Sequence, residues 1–247
     1  MTNGVWRGRR LPELLLGLAA LAVAVIITGI VIANAIRDVK LRRDTITVTG
    51  SARQPITADL AKWSLAVNAE AVRPQDAVRL LKTRVKAVRS FLRDGGLTGV
   101  EINEPPVITE QISLRVAPRT RVPAFRVIQR FRISSEQMDK VESVAAQATN
   151  LLAEGIPVST GGLAYISTKL TDARIEALTK AIADAHRRAE TIVRGIGDKL
   201  GSVRRAELGV YQVTPRNSTE ISDYGINDTT TRQKDVTAVV TVTFAVR

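Results

Sequence analysis

Cysteine is absent from the 247-residue chain, which removes disulfides, zinc–thiolate sites, iron–sulfur ligation and cysteine nucleophiles together. Histidine is nearly absent. With His186 alone, a multi-histidine metal centre is impossible and a Ser–His–Asp triad has one candidate base. Aromatic residues make up 4%, too few for the stacking platforms that hold single-stranded nucleic acid. Helix-turn-helix, zinc-finger and RNP patterns are missing as well, so nucleic acid is not an expected partner, despite a net charge of +12. These gaps lead to the expectation of a non-enzyme, with no catalytic residues, no metal and no cofactor. The length allows one or two folded units at roughly 100–200 residues each.

One long apolar run is present. From Leu14 to Ile36 the only polar residues among 23 are Thr28 and Asn34. As a helix, this run is about 34 Å long, enough to cross a hydrocarbon core of about 30 Å with some tilt. It reads as an uncleaved signal anchor that meets the lipid bilayer through residues 14–36. A cleaved signal peptide is the alternative, since Ala33-Asn34-Ala35 resembles a small-x-small site, but the run exceeds the roughly 7–15 residues of an ordinary h-region. A short basic tail (1–13) precedes it and a basic juxtamembrane linker (37–43) follows, so charge bias discriminates poorly between orientations. A short tail ahead of a large C-terminal domain suits export of that domain. Residues 1–43 hold seven basic and two acidic side chains, leaving +7 of the +12 on residues 44–247. Such a balance favours anionic headgroups or polyanions.

Past Arg43 the apolar period switches between two and about three and a half. Ile46 and Val48 alternate with threonines up to Gly50. Trp63, Leu65, Val67 and Ala69 alternate with Lys62, Ser64, Asn68 and Glu70, the pattern of a half-buried strand. Pro74 opens a helix with its apolar stripe at Val78, Leu81, Val85, Val88 and Leu92, ending at Gly95-Gly96. The order then recurs: strands from Ile108 to Val116 and from Phe125 to Ile133, then a helix marked by Met138, Val141, Ala145, Ala148 and Leu152. Ser134 and Gln137 supply its expected capping box.

A short strand near Leu163–Ile166 leads to a third, long helix. Its apolar positions Ile175, Leu178, Ile182, Ala185, Ala189, Ile192 and Ile196 alternate steps of three and four, a candidate assembly surface if not packed on the chain's own sheet. Glu176–Lys180, Asp184–Arg188 and Glu190–Arg194 have the favourable acid-before-base order. Strands near Val203–Val213 and Val236–Val246 close the chain as a C-terminal pair. The polar loop between them (215–234) is long enough to suggest a mobile or functional excursion. The expected class is α+β: an N-terminal transmembrane helix, then two strand–strand–helix units, a long third helix and the strand pair.

Candidate chemistry is sparse. Gly195, Gly197 and Gly201 miss the dinucleotide fingerprint by one position and end a helix, where capping is their expected use. His186 sits beside the apolar stripe as a boundary residue. Glu101, Glu104 and Glu110 form a loose acidic cluster, the only basis for a hydrolase reading. Arg126, Arg130 and Arg132 alternate with Phe125, Val127 and Phe131 and define a basic sheet face, a candidate surface for anionic ligands.

Three segments stand out together: the opening Ile46-Thr47-Val48-Thr49-Gly50, Asp59 entering the next strand, and the helix segment Ala181-Ile182-Ala183-Asp184-Ala185-His186-Arg187-Arg188-Ala189-Glu190. Gly195, Leu200-Gly201-Ser202-Val203 and the closing Val240-Thr241-Val242-Thr243-Phe244 complete the set. Taken together they resemble the SIMPL-domain family of exported bacterial envelope proteins. Ala58 departs from it where a proline is common. The resemblance implies one SIMPL-like extracytoplasmic domain over 44–247 and no catalytic residues to carry over. It also implies links, in some members, to periplasmic immunogenic proteins, oxidative-stress defence and homo-oligomeric assembly. With no Cys and two Met, a stoichiometric antioxidant role is a poor fit, and an indirect role through the envelope is the better one.

The resulting expectation is a single-pass protein of the inner (cytoplasmic) membrane, its C-terminal domain facing the periplasm or exterior. It acts there as a self-assembling or interaction module, with a homo-oligomer as the leading partner reading. A binding module for anionic lipid or envelope polymer is the alternative.

Overall fold

The computed structural model describes residues 10–41, 44–97 and 101–247, with side chains of the first stretch given for 16–33. Most of the basic tail, the linker's side chains and those of Asn34 and Ala35 at the candidate cleavage site lie outside the described residues.

Helix α1 (Arg10–Leu41) contains the apolar run. From Leu16 to Ala33 it is apolar enough to cross a membrane, and none of that stretch is buried inside the protein, so it is not a core helix. Thr28 Oγ1 donates to the Ala24 carbonyl at 2.7 Å, so its hydroxyl is satisfied within the helix, as a lipid environment requires.

After it come β1 (Thr45–Thr57), β2 (Leu60–Ala71), α2 (Pro74–Asp94), β3 (Glu101–Asn103), β4 (Ile108–Ala117) and β5 (Thr120–Ser135). Then follow α3 (Met138–Gln147), α4 (Thr149–Ala153), β6 (Val158–Thr160), β7 (Ala164–Ile166) and α5 (Leu170–Gly195). The chain closes with β8 (Leu200–Leu208), β9 (Gln212–Pro215), β10 (Ile226–Asn227) and β11 (Gln233–Val246). One sheet has the order β1-β11-β9-β10 with β8 also on β11; the other has the order β3-β5-β2-β6, with β4 on β5 and β7 on β2. The α+β class, both strand–strand–helix units, the long helix and the C-terminal pair are as the sequence indicates. By compactness the chain divides into one unit of 1–50, 182–207 and 240–247 and another of 51–181 and 208–239.

In the larger unit, α2 buries Ala77, Leu81, Val85, Val88 and Leu92 in a core with Trp63, Leu65, Val67, Phe131 and Ile133. Val78, placed on the stripe by sequence, is exposed, and Ala77 takes its place. The expected helix to Leu152 breaks at Ala148. There Ala148 N–H donates to Ala145 and Leu151 N–H to Ala148, and this tighter i→i+3 turn carries Leu151 into the core and leaves Leu152 outside. The expected capping box does not form: Gln137 is the N-cap of α3 and no side chain caps it, Ser134 and Ser135 both lie in β5, and Ser135 Oγ accepts from Gln137 N–H at 3.0 Å as a local turn. The strand expected over Val203–Val213 is two strands, β8 and β9, interrupted at 209–211.

The polar connection 215–234 is anchored at its second half. Lys234, 2% exposed, donates from Nζ to the Asp228 carboxylate at 2.9 Å and to its carbonyl at 2.7 Å. Asp228 also accepts from the amides and hydroxyls of Thr230 and Thr231. Arg232 ion-pairs with Asp139 and Glu142 of α3 and lies over the Tyr165 ring. The Arg232 carbonyl accepts from Ala58 N–H at 2.7 Å, a bond that proline at this position could not donate.

Helix α5 corrects its own sequence pattern. The buried face is Ala173, Ala177 and Ala181 in the larger unit and Ala185, Ala189 and Val193 in the smaller, at every fourth position. Small side chains let a helix axis approach its support closely, and the isoleucines of the expected stripe turn outward as a result. Ile175, Ile182, Ile192 and Ile196 are exposed and Leu178 is half-buried. Of the three expected helix pairs, Glu176–Lys180 and Asp184–Arg188 form at 2.8 Å, while Glu190 lies 3.8 Å from His186 Nδ1.

Candidate functional site

The basic face exists on the second sheet, with a changed membership. Strand alternation sends Val127, Gln129, Phe131 and Ile133 of β5 inward and turns Arg130, Arg132 and Ser134 out. On β2, Trp63 and Leu65 are buried, and Lys62 and Ser64 point out. The antiparallel register sets Lys62 opposite Ser134, Ser64 opposite Arg132, Ala66 opposite Arg130 and Glu70 opposite Arg126. On the other side of β5, Asn103 faces Arg132 and Glu101 faces Ser134.

Arg126 does not share the free charge of its neighbours. Its Nε donates to Glu70 at 2.7 Å and its Nη1 lies 3.6 Å from Glu110. Hydrogen bonding and charge from Glu70, then Glu110, raise the Arg126 guanidinium pKa above its ordinary value. Among the described residues, Lys62, Arg130 and Arg132 pair with no carboxylate. Two adjoining depressions open beside them. One, of about 410 Å³, is lined by Lys62, Ser64, Glu101, Asn103, Arg132 and Ser134 among others. The second, of about 300 Å³, is lined by Ser64, Arg130, Arg132, Ser159, Thr160 and Gly161 among others. Lys62, Ser64, Ser134 and Asn103 are not among the site residues the sequence indicates. The alternation of Lys62 and Ser64 with Trp63 and Leu65 signalled their direction, but their approach to Arg130 and Arg132 depends on register.

The glutamates do not gather. Arg89 takes Glu104 with two hydrogen bonds, at 2.9 and 2.6 Å, Glu110 turns to Arg126, and Glu101 lines the larger depression. Among the described residues, no group of three His, Cys, Asp or Glu could hold a metal ion. Asp59 serves the chain itself. Burial raises its pKa, but the Thr168 hydroxyl and amide, at 2.6 and 2.8 Å, outweigh that and hold the carboxyl below its usual range.

In the smaller unit, His186 is exposed and meets the Phe244 ring edge-on at 5.8 Å. The glycine group ends α5: Asp198 N–H returns to the Val193 carbonyl at 3.1 Å, and Gly197 has φ of 87°, a conformation that favours glycine.

The same unit presents an open strand edge. Asp44 accepts from Val246 N–H, and the Thr47 and Thr49 hydroxyls lie 2.9 and 3.2 Å from those of Thr243 and Thr241. In this antiparallel register the backbone groups of Thr45, Thr47 and Thr49 face away from β11. β1 ends the strand order, and no charged side chain occurs from Thr45 to Ala52. β8 is the contrasting edge, exposed from Ser202 to Leu208 and guarded by Arg204, Arg205 and Glu207. Ile182, Ile192 and Ile196 add exposed apolar surface at 49%, 48% and 66%.

A family model described as SIMPL, protein of unknown function (DUF541), matches residues 46–244. No curated protein matches the chain.

Proposed function

The chain belongs to the SIMPL family, and from that premise we propose a membrane-anchored, extracytoplasmic, non-catalytic module that associates with a second copy of itself. The α1 stretch from Leu16 to Ala33 holds it in the inner membrane as a single span. A role in envelope stress defence follows indirectly, from maintaining an assembled envelope component.

The observation that carries this reading is the open edge of β1, whose own side chains from Thr45 to Ala52 carry no charge, while Arg187 and Arg188 of α5 line the depression beside Thr47 and Thr49. The strand's outward N–H and C=O groups at Thr45, Thr47 and Thr49 form a pairing template, and the segment lacks the charges that ordinarily block one. The two-fold solution sets β1 against β1 of the partner, an isologous contact that places threonines opposite threonines. β8–β8 pairing would instead bring Arg204 and Arg205 against their copies. Leu41 ends α1 and Thr45 begins β1, so at about 3.6 Å per residue this edge lies within about 14 Å of the helix end. Two anchored copies therefore meet at a high effective concentration.

The absence of native cysteine makes the test clean. Thr45→Cys, Thr47→Cys and Thr49→Cys are oxidised singly in isolated membranes, beside Arg204→Cys on β8. At least one β1 position is expected to give a covalent dimer, with none from Arg204→Cys. Monomer at all three β1 positions overturns the reading.

A further inference from the structure

Three cations on the outward face of the second sheet are left without acidic partners among the described residues, and their spacing is fixed by the backbone. Arg130 and Arg132 are alternate residues of β5, about 7 Å apart, and Lys62, opposite Ser134, occupies the next step. Ser64 and Asn103 flank Arg132 from the strands on either side. Cations and neutral hydrogen-bonding groups therefore interleave along one line. The two depressions share Ser64 and Arg132, which makes them one cradle. Its rim depends on Gly161, whose N–H donates to the Ser64 carbonyl at 2.8 Å. A Cβ at Gly161 would come within 2.4 Å of Ser64 Oγ.

We propose that this cradle binds a segment of anionic glycan, a chain of sugar rings carrying carboxylates. The planar forks of Arg130 and Arg132 match carboxylates in geometry as well as charge. Ser64, Ser134 and Asn103 supply the donors and acceptors that ring hydroxyls require. Glu101 is the carboxylate in the lining. It disfavours an anion at its end of the cradle and accepts from sugar hydroxyls there, leaving the Arg130–Arg132 end for the charged group. A lipid surface is the poorer occupant, because membrane docking adds apolar side chains to cations, and Trp63, Leu65 and Ile133 of this lining are buried. Single-stranded nucleic acid would need exposed aromatic faces for stacking. This inference is independent of self-association at β1.

The test is fluorescence anisotropy of labelled hexagalacturonate with the detergent-solubilised full-length protein at low salt. Neutral dextran oligomer, polyphosphate and phosphatidylglycerol vesicles are the comparison ligands. Hexagalacturonate is expected to bind in a salt-sensitive way and to weaken at least about tenfold in Arg130→Ser/Arg132→Ser. Arg126→Ser, whose side chain is already committed to Glu70 and Glu110, is expected to stay within about twofold of the parent. All substituted side chains are exposed or half-exposed, and circular dichroism checks that each variant is folded. The proposal is overturned by no hexagalacturonate binding in the parent, equal binding in the double variant, equal loss in Arg126→Ser, or preference for polyphosphate, dextran or vesicles.

Discussion

Lys234 is a lysine with almost no exposed surface, and its ammonium is tolerable there because Asp228 supplies both a carboxylate and a carbonyl. Removing either partner strands the other charge in the interior, at a cost of about 3–5 kcal/mol. Lys234→Ala and Asp228→Ala are therefore each expected to lower the urea midpoint of the full-length protein steeply, whereas Arg205→Ala on exposed β8 leaves it nearly unchanged. Burial raises the Asp228 pKa, but the hydroxyls of Thr231 and Thr230, the Thr230 amide and Lys234 outweigh it and hold the carboxyl well below its usual range. Asp59 is shifted in the same direction. A depressed carboxylate stabilises the fold fully above its unfolded pKa of about 3.9 and loses that contribution as pH falls toward the folded value. These two carboxylates predict thermal stability that is flat from neutral pH to about pH 4 and falls below it. Asp228→Asn should flatten the acid limb; an unchanged acid limb in that variant would remove Asp228 as its cause.

At the scale of the element, α5 separates what periodicity reveals from what it hides. The steps of three and four identify a helix, and a helix is there. The buried face was not legible, because the isoleucines outweigh alanine in any apolar count while the sheet selects for closeness of approach. Ala189→Leu is accordingly expected to cost about 1–3 kcal/mol by overpacking, and Ile192→Ala close to nothing, both read by chemical denaturation. Equal losses would contradict this assignment of faces. The basic face divides similarly. Alternation along β5 placed Arg126, Arg130 and Arg132 on one side, but only the register with β2 and β4 reveals that Glu70 and Glu110 neutralise the first. The connection 215–234 looked like an excursion because its composition is polar; Asp228, Arg232 and Lys234 make it a fastening through partners that lie near in sequence or far from it, at Ala58, Asp139, Glu142 and Tyr165.

For the whole molecule, the chain joins one apolar helix to a SIMPL domain by a connection too short to let the two separate far. The helix is legible in composition alone, since its 23-residue run has only two polar members. The open edge of β1 was not, because a strand's place in a sheet is decided by partners distant in sequence, here β11. Edge pairing between anchored copies is the central claim, and the mass of the detergent-extracted full-length protein tests it most directly. Light scattering over a concentration series, corrected for detergent, is expected to approach twice the 26.8 kDa chain mass. Thr47→Pro removes an outward N–H and keeps the backbone bonds to β11, losing there only the hydroxyl contact with Thr243, so that variant is expected to stay at the single-chain mass. A parent that remains monomeric throughout, or a dimer that Thr47→Pro leaves intact, would contradict the account.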